Sequence, residues 1–315
     1  MDERTHATSG EDRPAPQKVR LPQLDGVLVL DKPVGPTSAD CLNRIKRLGQ
    51  RKIGHAGTLD PLASGVLVVL LGQATKLATF ITGAVKTYRG RLRFGTTTDT
   101  YDIQGKVVSE ADCSHLTAAQ VEAAVLDWTQ AKVQEVPAYS AAKHQGKPLY
   151  ALAREGKDVP VKTKEITVFS ARALDIALPE TEFQVSCSAG TYVRSLVHSL
   201  GTRFGCGAVL TALRREESRP FTLERAVPLQ NVLDEPERLP EWVIGLADAL
   251  PDWPRARLTA EEAHQVKNGV RLPTRGQAGP GARAMFLDET GTPLALAEST
   301  IESGDVRWAI LRGLW

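Results

Sequence analysis

A glycine-bounded loop that runs directly into a buried strand is the strongest constraint that this sequence places on its fold. Residues 54–65 read GHAGTLDPLASG, and six apolar residues, 66–71, follow at once. An unbroken apolar run of this length indicates a strand that is covered on both faces. The strand fixes the backbone of the loop, so Asp60, the one carboxylate in the loop, is held where a ligand can reach it.

Asp60 also has a purely structural interpretation. An Asp-Pro dipeptide favours a turn, and most aspartates in that position organise only their own loop. The surroundings favour a functional role, because residues 44–52 contain five basic side chains and no acidic one. Three glycines in the loop also allow a partner to approach the backbone closely. We therefore predict that the loop meets an anionic partner.

The composition is that of a globular protein of about two domains. The chain has 315 residues, of which 42% are hydrophobic, enough for a packed core. No apolar run approaches the roughly 20 residues of a membrane helix, and residues 1–22 lack the apolar centre of a signal peptide. We expect residues 1–22 to form a disordered tail and the protein to be cytoplasmic.

The cysteines predict neither a metal site nor disulfide bonds. They are scattered, with no Cys-x-x-Cys pair and no histidine at metal-ligand spacing, and are Cys41, Cys113, Cys187 and Cys206. Zinc sites and disulfide frameworks both have characteristic spacings that are missing here. We interpret all four as reduced structural thiols.

Local clusters of basic residues carry the argument for a nucleic acid partner, because a net charge of +2 is too small to do so. Residues 143–172 contain seven basic side chains against three acidic ones. Alternation along a strand at 87–94 sends Arg89, Arg91 and Arg93 to one face, where they could line a phosphate track. Solvated surface charge is the alternative for any one of them.

Hydrophobic periodicity predicts that helices and strands mix along the chain. The predicted strands are 26–30, 66–71, 87–94, 132–136, 165–178 and 182–189. Helices are predicted from Thr37 or Ser38 to about Gly49, at 73–82, after Thr117, and at 192–204. Thr117 with Gln120 three residues later fits a capping box.

The last third of the chain indicates a second, smaller module. Residues 228–254 are rich in proline and acidic side chains, which is typical of a connection between domains. Residues 255–315 contain a short helix at about 259–267, followed by strand-like segments at 284–287 and 293–297. The predicted domains are therefore 23–250 and 251–315.

Seven blocks between residues 26 and 215 resemble the bacterial tRNA pseudouridine synthases of the TruB type. The longest is GHAGTLDPLASGVLVVLLGQATKLA at 54–78. The others follow in family order at 31–38, 86–89, 98–102, 137–143, 190–194 and 213–215. So many blocks in the same order make a chance match an unlikely explanation.

The resemblance implies an α+β fold with a mixed, largely antiparallel central sheet, flanking helices and a small β-rich C-terminal domain similar to the PUA fold. It implies that the protein isomerises uridine 55 of the tRNA T-loop to pseudouridine, with no cofactor and no metal. The expected partner is the T-stem-loop of tRNA. We expect a monomer, because no coiled-coil heptad or apolar repeat calls for a second subunit.

The resemblance also assigns the two charged residues of the site. Asp60 is the family-matched nucleophile, and Arg194 is the cation that favours its ionised form and holds its orientation. Without the resemblance, Arg194 fits capping or an ion pair on the surface of its helix. Whether Asp60 attacks C6 of the base, attacks C1′ of the sugar or assists elimination through a glycal stays open, since each route needs one carboxylate in the same place.

Four further residues match positions that contact the substrate in the family. The tyrosine that Tyr88 matches lies beneath the target uracil in relatives and can take part in proton removal from C5. The resemblance implies that Tyr192 and Leu213 contact the base and that His55 holds the T-loop open once the nucleotide is flipped out. From the residues alone, Tyr88 fits a packed core equally well, Leu213 fits a core better, and His55 fits an exposed loop.

The same residues bear on two other functions. An RNA-folding chaperone that grips the elbow of tRNA is compatible with the same motifs. A glycoside hydrolase is disfavoured, because such enzymes generally place two carboxylates around one bond and the loop offers only Asp60.

Overall fold

The two apolar runs predicted as buried strands lie side by side in the main sheet of the protein. In a computed structural model, which describes residues 20–274 and 278–315, residues 26–32 pair antiparallel with residues 65–71. Most of the predicted tail, residues 1–19, lies outside the described residues. Its last residues are bound to the domain rather than disordered, because Leu21 N–H donates to the Leu48 carbonyl at 2.8 Å.

The regular elements are numbered along the chain. The strands are β1 (Gly26–Lys32), β2 (Ile53–Ala56), β3 (Ala63–Leu71), β4 (Lys86–Phe94), β5 (Thr96–Thr98), β6 (Val107–Glu110), β7 (Val133–Glu135), β8 (Lys143–His144), β9 (Lys147–Pro148), β10 (Thr163–Glu165), β11 (Val168–Ala177), β12 (Glu180–Cys187), β13 (Ala208–Ser218), β14 (Phe221–Thr222), β15 (Val227–Pro228), β16 (Val243–Gly245), β17 (Arg255–Arg257), β18 (Leu272–Pro273), β19 (Arg283–Leu287), β20 (Pro293–Glu302) and β21 (Asp305–Gly313). The α-helices are α1 (Ser38–Lys46), α2 (Ala78–Thr82), α3 (Ala118–Leu126), α4 (Leu149–Arg154), α5 (Val193–Arg203), α6 (Leu229–Asp234), α7 (Leu239–Trp242) and α8 (Ala260–Lys267). Short 3₁₀ segments are Gly72–Leu77, Asp127–Gln130, Leu223–Arg225, Pro236–Arg238 and Leu246–Asp248.

The main sheet has the strand order β11–β12–β4–β13–β3–β1–β15, with β14, β16 and β2 added on β13, β1 and β3. The pairs β13 with β3 and β1 with β15 are parallel. The other pairs in this sheet are antiparallel. The prediction of a mixed, largely antiparallel central sheet is therefore confirmed.

Both faces of the central strands are covered, which explains why residues 66–71 form an unbroken apolar run. Leu67 and Val69 belong to a core that also includes residues of α1, α3 and α5. Val66 and Val68, which point to the other face, pack in a second core with residues of the C-terminal sheet. A strand between two cores has no solvent face on which polar residues could alternate.

The caps predicted for two helices are present. Asp40 N–H donates to the Thr37 hydroxyl at 3.1 Å, and Thr37 N–H donates to the Asp40 carboxylate at 3.0 Å. Thr117 and Gln120 form the same reciprocal pair at α3. Two backbone donors at each helix start are satisfied in this way. Helix α1 ends at Lys46, three residues before Gly49, the predicted end.

The proline-rich segment 228–254 does more than connect two modules. Strand β15 extends the main sheet beside β1, and β16 pairs with β1 through Val243, Ile244 and Gly245. These strands are too short to show an alternating hydrophobic pattern, and the prolines around them are typical of a loop. The segment thus completes one edge of the main sheet.

The C-terminal residues form a second sheet, in the order β17–β19–β20–β21–β18. Helix α8 was predicted correctly, and its Val266 packs in a small core with Phe286 and Ala295. Strand β21 was not predicted, because most of its residues are half-exposed and their polarity does not alternate. Within the described part of the chain, no helix combines the length and the apolar character needed to cross a bilayer.

We predict that Gly65→Ala destabilises the fold at the point where β3 meets β13. Gly65 has φ +98°, and an added Cβ would lie 2.2 Å from the backbone oxygen of Arg215. Backbone strain and overlap together should lower the free energy of unfolding by at least about 2 kcal/mol, measured by urea denaturation. Gly83→Ala is the control, because Gly83 has a negative φ and nothing lies within 4 Å of the added atom. Equal stability of the two variants would contradict the prediction.

Candidate active site

The loop between β2 and β3 is held by hydrogen bonds to the start of α1. Leu59 N–H donates to the buried hydroxyl of Ser38 at 2.9 Å, and that hydroxyl donates to the Leu59 carbonyl at 3.1 Å. Gly35 N–H donates to the carbonyl of Pro61 at 2.9 Å. The residues on either side of Asp60 are therefore fixed, and the carboxylate between them is 42% exposed.

Arg194 and Asp60 form an ion pair between a buried cation and a half-exposed anion. Nε of Arg194 lies 2.9 Å from Oδ2 of Asp60, and the arginine side chain is only 6% exposed. Arg194 lies two residues after Tyr192, the N-cap residue of α5, so the first turn of the helix directs the guanidinium toward the loop. The structure thus brings together the two charged residues that the sequence paired.

The guanidinium of Arg194 has two further hydrogen-bond acceptors and a second carboxylate nearby. Its Nη1 donates to the Thr100 carbonyl at 2.8 Å, and its Nη2 donates to the Tyr139 carbonyl at 3.1 Å. Oδ2 of the buried Asp102 lies 3.7 Å from Nη1. Because each of its three nitrogens has a contact, the direction of the Nε–H toward Asp60 is set by the fold.

Asp102 is a site residue that sequence reasoning missed. Besides facing Arg194, its carboxylate accepts hydrogen bonds from the Thr100 hydroxyl at 2.8 Å and from Gln104 N–H at 3.1 Å. The available signal was its position in the matched block 98–102. An acidic residue in such a block is a candidate partner for any arginine in another block.

All the predicted site residues line one cavity of about 400 Å³. Its walls come from β2, the following loop, β4, β13 and the start of α5, and they include His55, Asp60, Tyr88, Tyr192, Arg194 and Leu213. A volume of this size lies within the usual range of small-ligand sites. The lining comes from five separate segments of the chain, at 55–63, 82–88, 140–141, 190–194 and 213–215.

Tyr88 forms part of the cavity wall with a buried ring. Burial raises the pKa of its hydroxyl, and the charge of neighbouring Arg215 offsets part of that rise. Arg215 is itself almost completely buried and donates to the carbonyls of Val66 at 2.6 Å and Gly57 at 2.9 Å. Tyr88 is therefore neutral at pH 7, and Arg215 supports the Asp60 loop from behind.

Two buried lysines add positive charge around the loop. Lys86 donates to the carbonyls of Thr82 at 2.5 Å and Ala84 at 2.7 Å, and burial lowers its pKa to about 8. Lys32 donates to the carbonyls of Pro33 and Pro36, and burial lowers its pKa as well. Each ammonium keeps hydrogen bonds that favour its charged form, so the site is electropositive apart from its carboxylates.

Two buried polar atoms on the cavity wall have no hydrogen-bond partner among the described residues. They are Nδ1 of His55 and the hydroxyl oxygen of Ser140. Burial is the main cause of the lowered pKa of His55, so its ring is neutral at pH 7. Buried polar groups are rarely left unpaired, so these two atoms are exceptions at the wall of this cavity.

The predicted phosphate track lies elsewhere. Arg89, Arg91 and Arg93 share one face of β4 as predicted, but Tyr88 projects from the opposite face, because side chains alternate along a strand. Arg89 is also paired with Glu182 on β12. These arginines do not line the cavity that contains Asp60.

A search of the described residues finds no cluster of three or more histidine, cysteine or carboxylate side chains that could hold a metal ion. The four cysteines are free thiols, and three of them are buried. Burial raises the pKa of Cys187 to about 11, so that thiol stays protonated and unreactive at pH 7.

A family model and several full-length relatives identify the same family. A family model described as the N-terminal domain of the TruB family pseudouridylate synthases matches residues 45–193. The tRNA pseudouridine synthase B of Oleidesulfovibrio alaskensis is 54% identical over 94% of this chain and 98% of its own. The protein of the same name from Geobacter sulfurreducens is 41% identical over 93% and 95%.

Solved structures share the fold at lower identity. A chain in the crystal structure of a Cbf5–Nop10–Gar1 complex superposes with a TM-score of 0.70 at 24% identity, covering 92% of this chain and 85% of that one. A chain in the structure of an H/ACA RNP bound to a substrate RNA containing 2′-deoxyuridine gives 0.67 at 22% identity. The predicted α+β fold, with its small β-rich C-terminal domain similar to the PUA fold, is confirmed.

The relatives match this chain from near its start to near its end, and the matched region contains every residue that lines the cavity around Asp60. Sequence identity of 41–54% over nearly the full length of both compared proteins exceeds what a shared fold alone would give. The chain belongs to the TruB family of pseudouridylate synthases, which are isomerases.

Proposed function

We propose that this enzyme isomerises uridine 55 in the T-loop of tRNA to pseudouridine, with Asp60 as the nucleophile. The observation that carries the proposal is the pair of half-exposed Asp60 and buried Arg194, 2.9 Å apart at the wall of a cavity. Relatives that are 41–54% identical are named tRNA pseudouridine synthase B, which supports tRNA as the substrate.

The reaction breaks the N1–C1′ bond of uridine, turns the uracil and joins C5 to C1′, and the proton on C5 is replaced by one on N1. Nothing is gained or lost overall, so a nucleophile and a proton acceptor suffice and no cofactor is required. A nucleophilic aspartate reacts as the carboxylate, and Arg194 pairs with the Asp60 carboxylate at 2.9 Å and orients it. Nε of Arg194 contacts only Oδ2 of Asp60, so the pairing orients the carboxylate while its other oxygen has no contact with this arginine.

The target nucleotide must leave the folded T-loop to reach Asp60, at a cost of a few kcal/mol. The ring of Tyr88 offers a flat apolar surface for the flipped uracil, with Tyr192 and Leu213 as the other base contacts. His55 and Ser140 carry the two unpartnered polar atoms, which the flipped nucleotide or its neighbours can pair. A neutral His55 can enter an RNA loop without adding the cost of desolvating a charge.

The remaining RNA is expected to bind by charge and shape. Lys86 and Arg215 line the cavity, and their positive charge attracts the phosphate backbone. We propose that residues 23–250 form the catalytic domain and that residues 251–315 form a PUA-like domain with a second RNA contact. The enzyme is proposed to act as a monomer in the cytoplasm, where its tRNA substrate is found.

The position of Asp102 argues against a glycoside hydrolase. A hydrolase of that type needs two carboxylates facing one bond. Asp102 is buried behind Arg194 and does not line the cavity, so Asp60 is the carboxylate that a substrate meets.

Asp60→Asn should abolish pseudouridine formation while leaving tRNA binding nearly unchanged. The amide is close in size to the carboxylate but is not a nucleophile, and most of the affinity comes from phosphate contacts. The measurement is pseudouridine content of unmodified tRNA at position 55, together with a Kd from filter binding. Asp248→Asn, which removes an exposed carboxylate paired with Arg255, should keep full activity.

Turnover by Asp60→Asn would remove this residue from the mechanism. Pseudouridine at another tRNA position made by the unaltered enzyme would instead refute the proposed target. A variant that is inactive in modification but still improves tRNA folding would add the chaperone role to the catalytic one.

Arg194→Lys should lower kcat by about 100-fold or more, corresponding to roughly 2.7 kcal/mol of transition-state stabilisation. A lysine keeps the charge but cannot contact Asp60 and the carbonyls of Thr100 and Tyr139 together. Steady-state kinetics on a T-stem-loop RNA would measure the effect, and KM should change little. Arg203→Lys is the matched control on the same helix, because Arg203 forms an exposed pair with Asp127. An equal effect of both substitutions would show that the fork of Arg194 is not needed.

A further inference from the structure

We propose that the stacked rings of Tyr101 and His198 form a clasp that positions Arg194, and thereby Asp60. The proposal rests on the proposed function for its kinetic consequence, and on geometry alone for the clasp itself. Neither ring lines the cavity around Asp60, so these are positioning residues rather than catalytic ones.

The clasp joins helix α5 to the turn at 100–102 through two contacts one helical turn apart. Arg194 and His198 are four residues apart on α5, so their side chains leave the same face of the helix. Arg194 binds the carbonyl of Thr100 and faces the carboxylate of Asp102. His198 stacks on Tyr101, with ring centroids 3.7 Å apart and an interplanar angle of 9°.

Tyr101 has a backbone conformation that needs support. Its φ is +65°, in the left-handed region that bulky side chains rarely adopt. Its carbonyl accepts from Leu210 N–H at 3.1 Å and its N–H donates to the Thr98 carbonyl at 3.3 Å, so the strained turn is tied to β13. Strain of this kind persists only where surrounding contacts impose it, and it is concentrated at functional sites.

The direction of this turn decides which acceptors Arg194 meets. A change of Tyr101 to negative φ would rotate the Thr100 carbonyl and the Asp102 carboxylate relative to each other. Arg194 would then lose two of the groups that fix its fork, and its Nε–H would no longer be held toward Asp60. The stack opposes this change, because the Tyr101 ring is in face-to-face contact with a ring on the same helix as Arg194.

The stack is the contact that orients the His198 ring. Its Nδ1 is buried and has no hydrogen-bond partner among the described residues. Both rings line a separate cavity of about 500 Å³ between α5, the end of α3 and β7. Neither ring belongs to the main apolar core, which includes Leu196 and Leu200 of the same helix.

Two pairs of variants of the full-length protein test the clasp. Tyr101→Phe and His198→Phe keep an aromatic ring, whereas Tyr101→Gly and His198→Ala remove one. Glycine also accepts a positive φ without strain, so the Tyr101→Gly variant is expected to fold. The kinetic assay uses a T-stem-loop RNA, with kcat, KM and the fraction of active enzyme measured for each variant.

We expect Tyr101→Gly and His198→Ala to lower kcat by about 10- to 100-fold, as a small misplacement of a catalytic group does. KM and RNA affinity should stay within about twofold, because RNA contacts are not touched. The two Phe variants should keep kcat close to that of the unaltered enzyme. A merely structural role would instead lower the active fraction or the unfolding temperature and leave kcat per active enzyme unchanged.

A second measurement does not depend on activity. The NMR signal of the Arg194 Nε–Hε group, assigned by its loss in Arg194→Lys, reports the bond to Asp60 in the RNA-free protein. It should shift or broaden in Tyr101→Gly and His198→Ala and be preserved in both Phe variants. If the unaltered enzyme modified no RNA while this signal still responded, the proposed function would fail and the clasp would stand.

An unchanged Hε signal together with an unchanged kcat in His198→Ala, in which Tyr101 keeps its strained φ but loses its stacking partner, would overturn the proposal. Equal impairment by Tyr101→Phe would also overturn it, because that result would assign the effect to the hydroxyl rather than to the stacked ring.

Discussion

The site depends on one buried guanidinium that is held in place by backbone carbonyls and carboxylates. Arg194 is nearly inaccessible to solvent. Its N–H groups contact the Asp60 carboxylate and the carbonyls of Thr100 and Tyr139, which take the place of water around the charge. Asp60 is the acceptor that remains open to the cavity. The burial of the cation and the exposure of the anion together allow the carboxylate to be oriented and reachable at the same time.

The main sheet makes this arrangement possible because it is covered on both faces. Strand β3 is buried between two cores, so the loop that precedes it has a rigid anchor. Parallel pairing of β13 with β3 places Arg215 beneath the loop, where it binds the carbonyls of Gly57 and Val66. The C-terminal sheet contributes to the second core and thus supports the active site from behind.

Sequence patterns predicted the parts of this structure that rest on local interactions. The apolar run at 66–71 and the caps at Thr37 and Thr117 follow from burial and from hydrogen bonds within a few residues, and all three are present. The short strands β15 and β16 escaped prediction, since their pairing with β1 depends on residues some 200 positions away. The prediction that the arginines of β4 share one face is correct. Alternation alone could not predict that the cavity lies on the opposite face, where Tyr88 projects.

The sequence by itself determined the family, because seven motifs stand in family order, and from them it predicted a site of six residues, which line one cavity: His55, Asp60, Tyr88, Tyr192, Arg194 and Leu213. Only the tertiary structure decided which partners fix Arg194. Its contacts with Thr100, Asp102 and Tyr139 join segments that are 55 to 94 residues distant along the chain. Such contacts leave no periodic signal, since they depend on where a turn is held in space and not on its own residues.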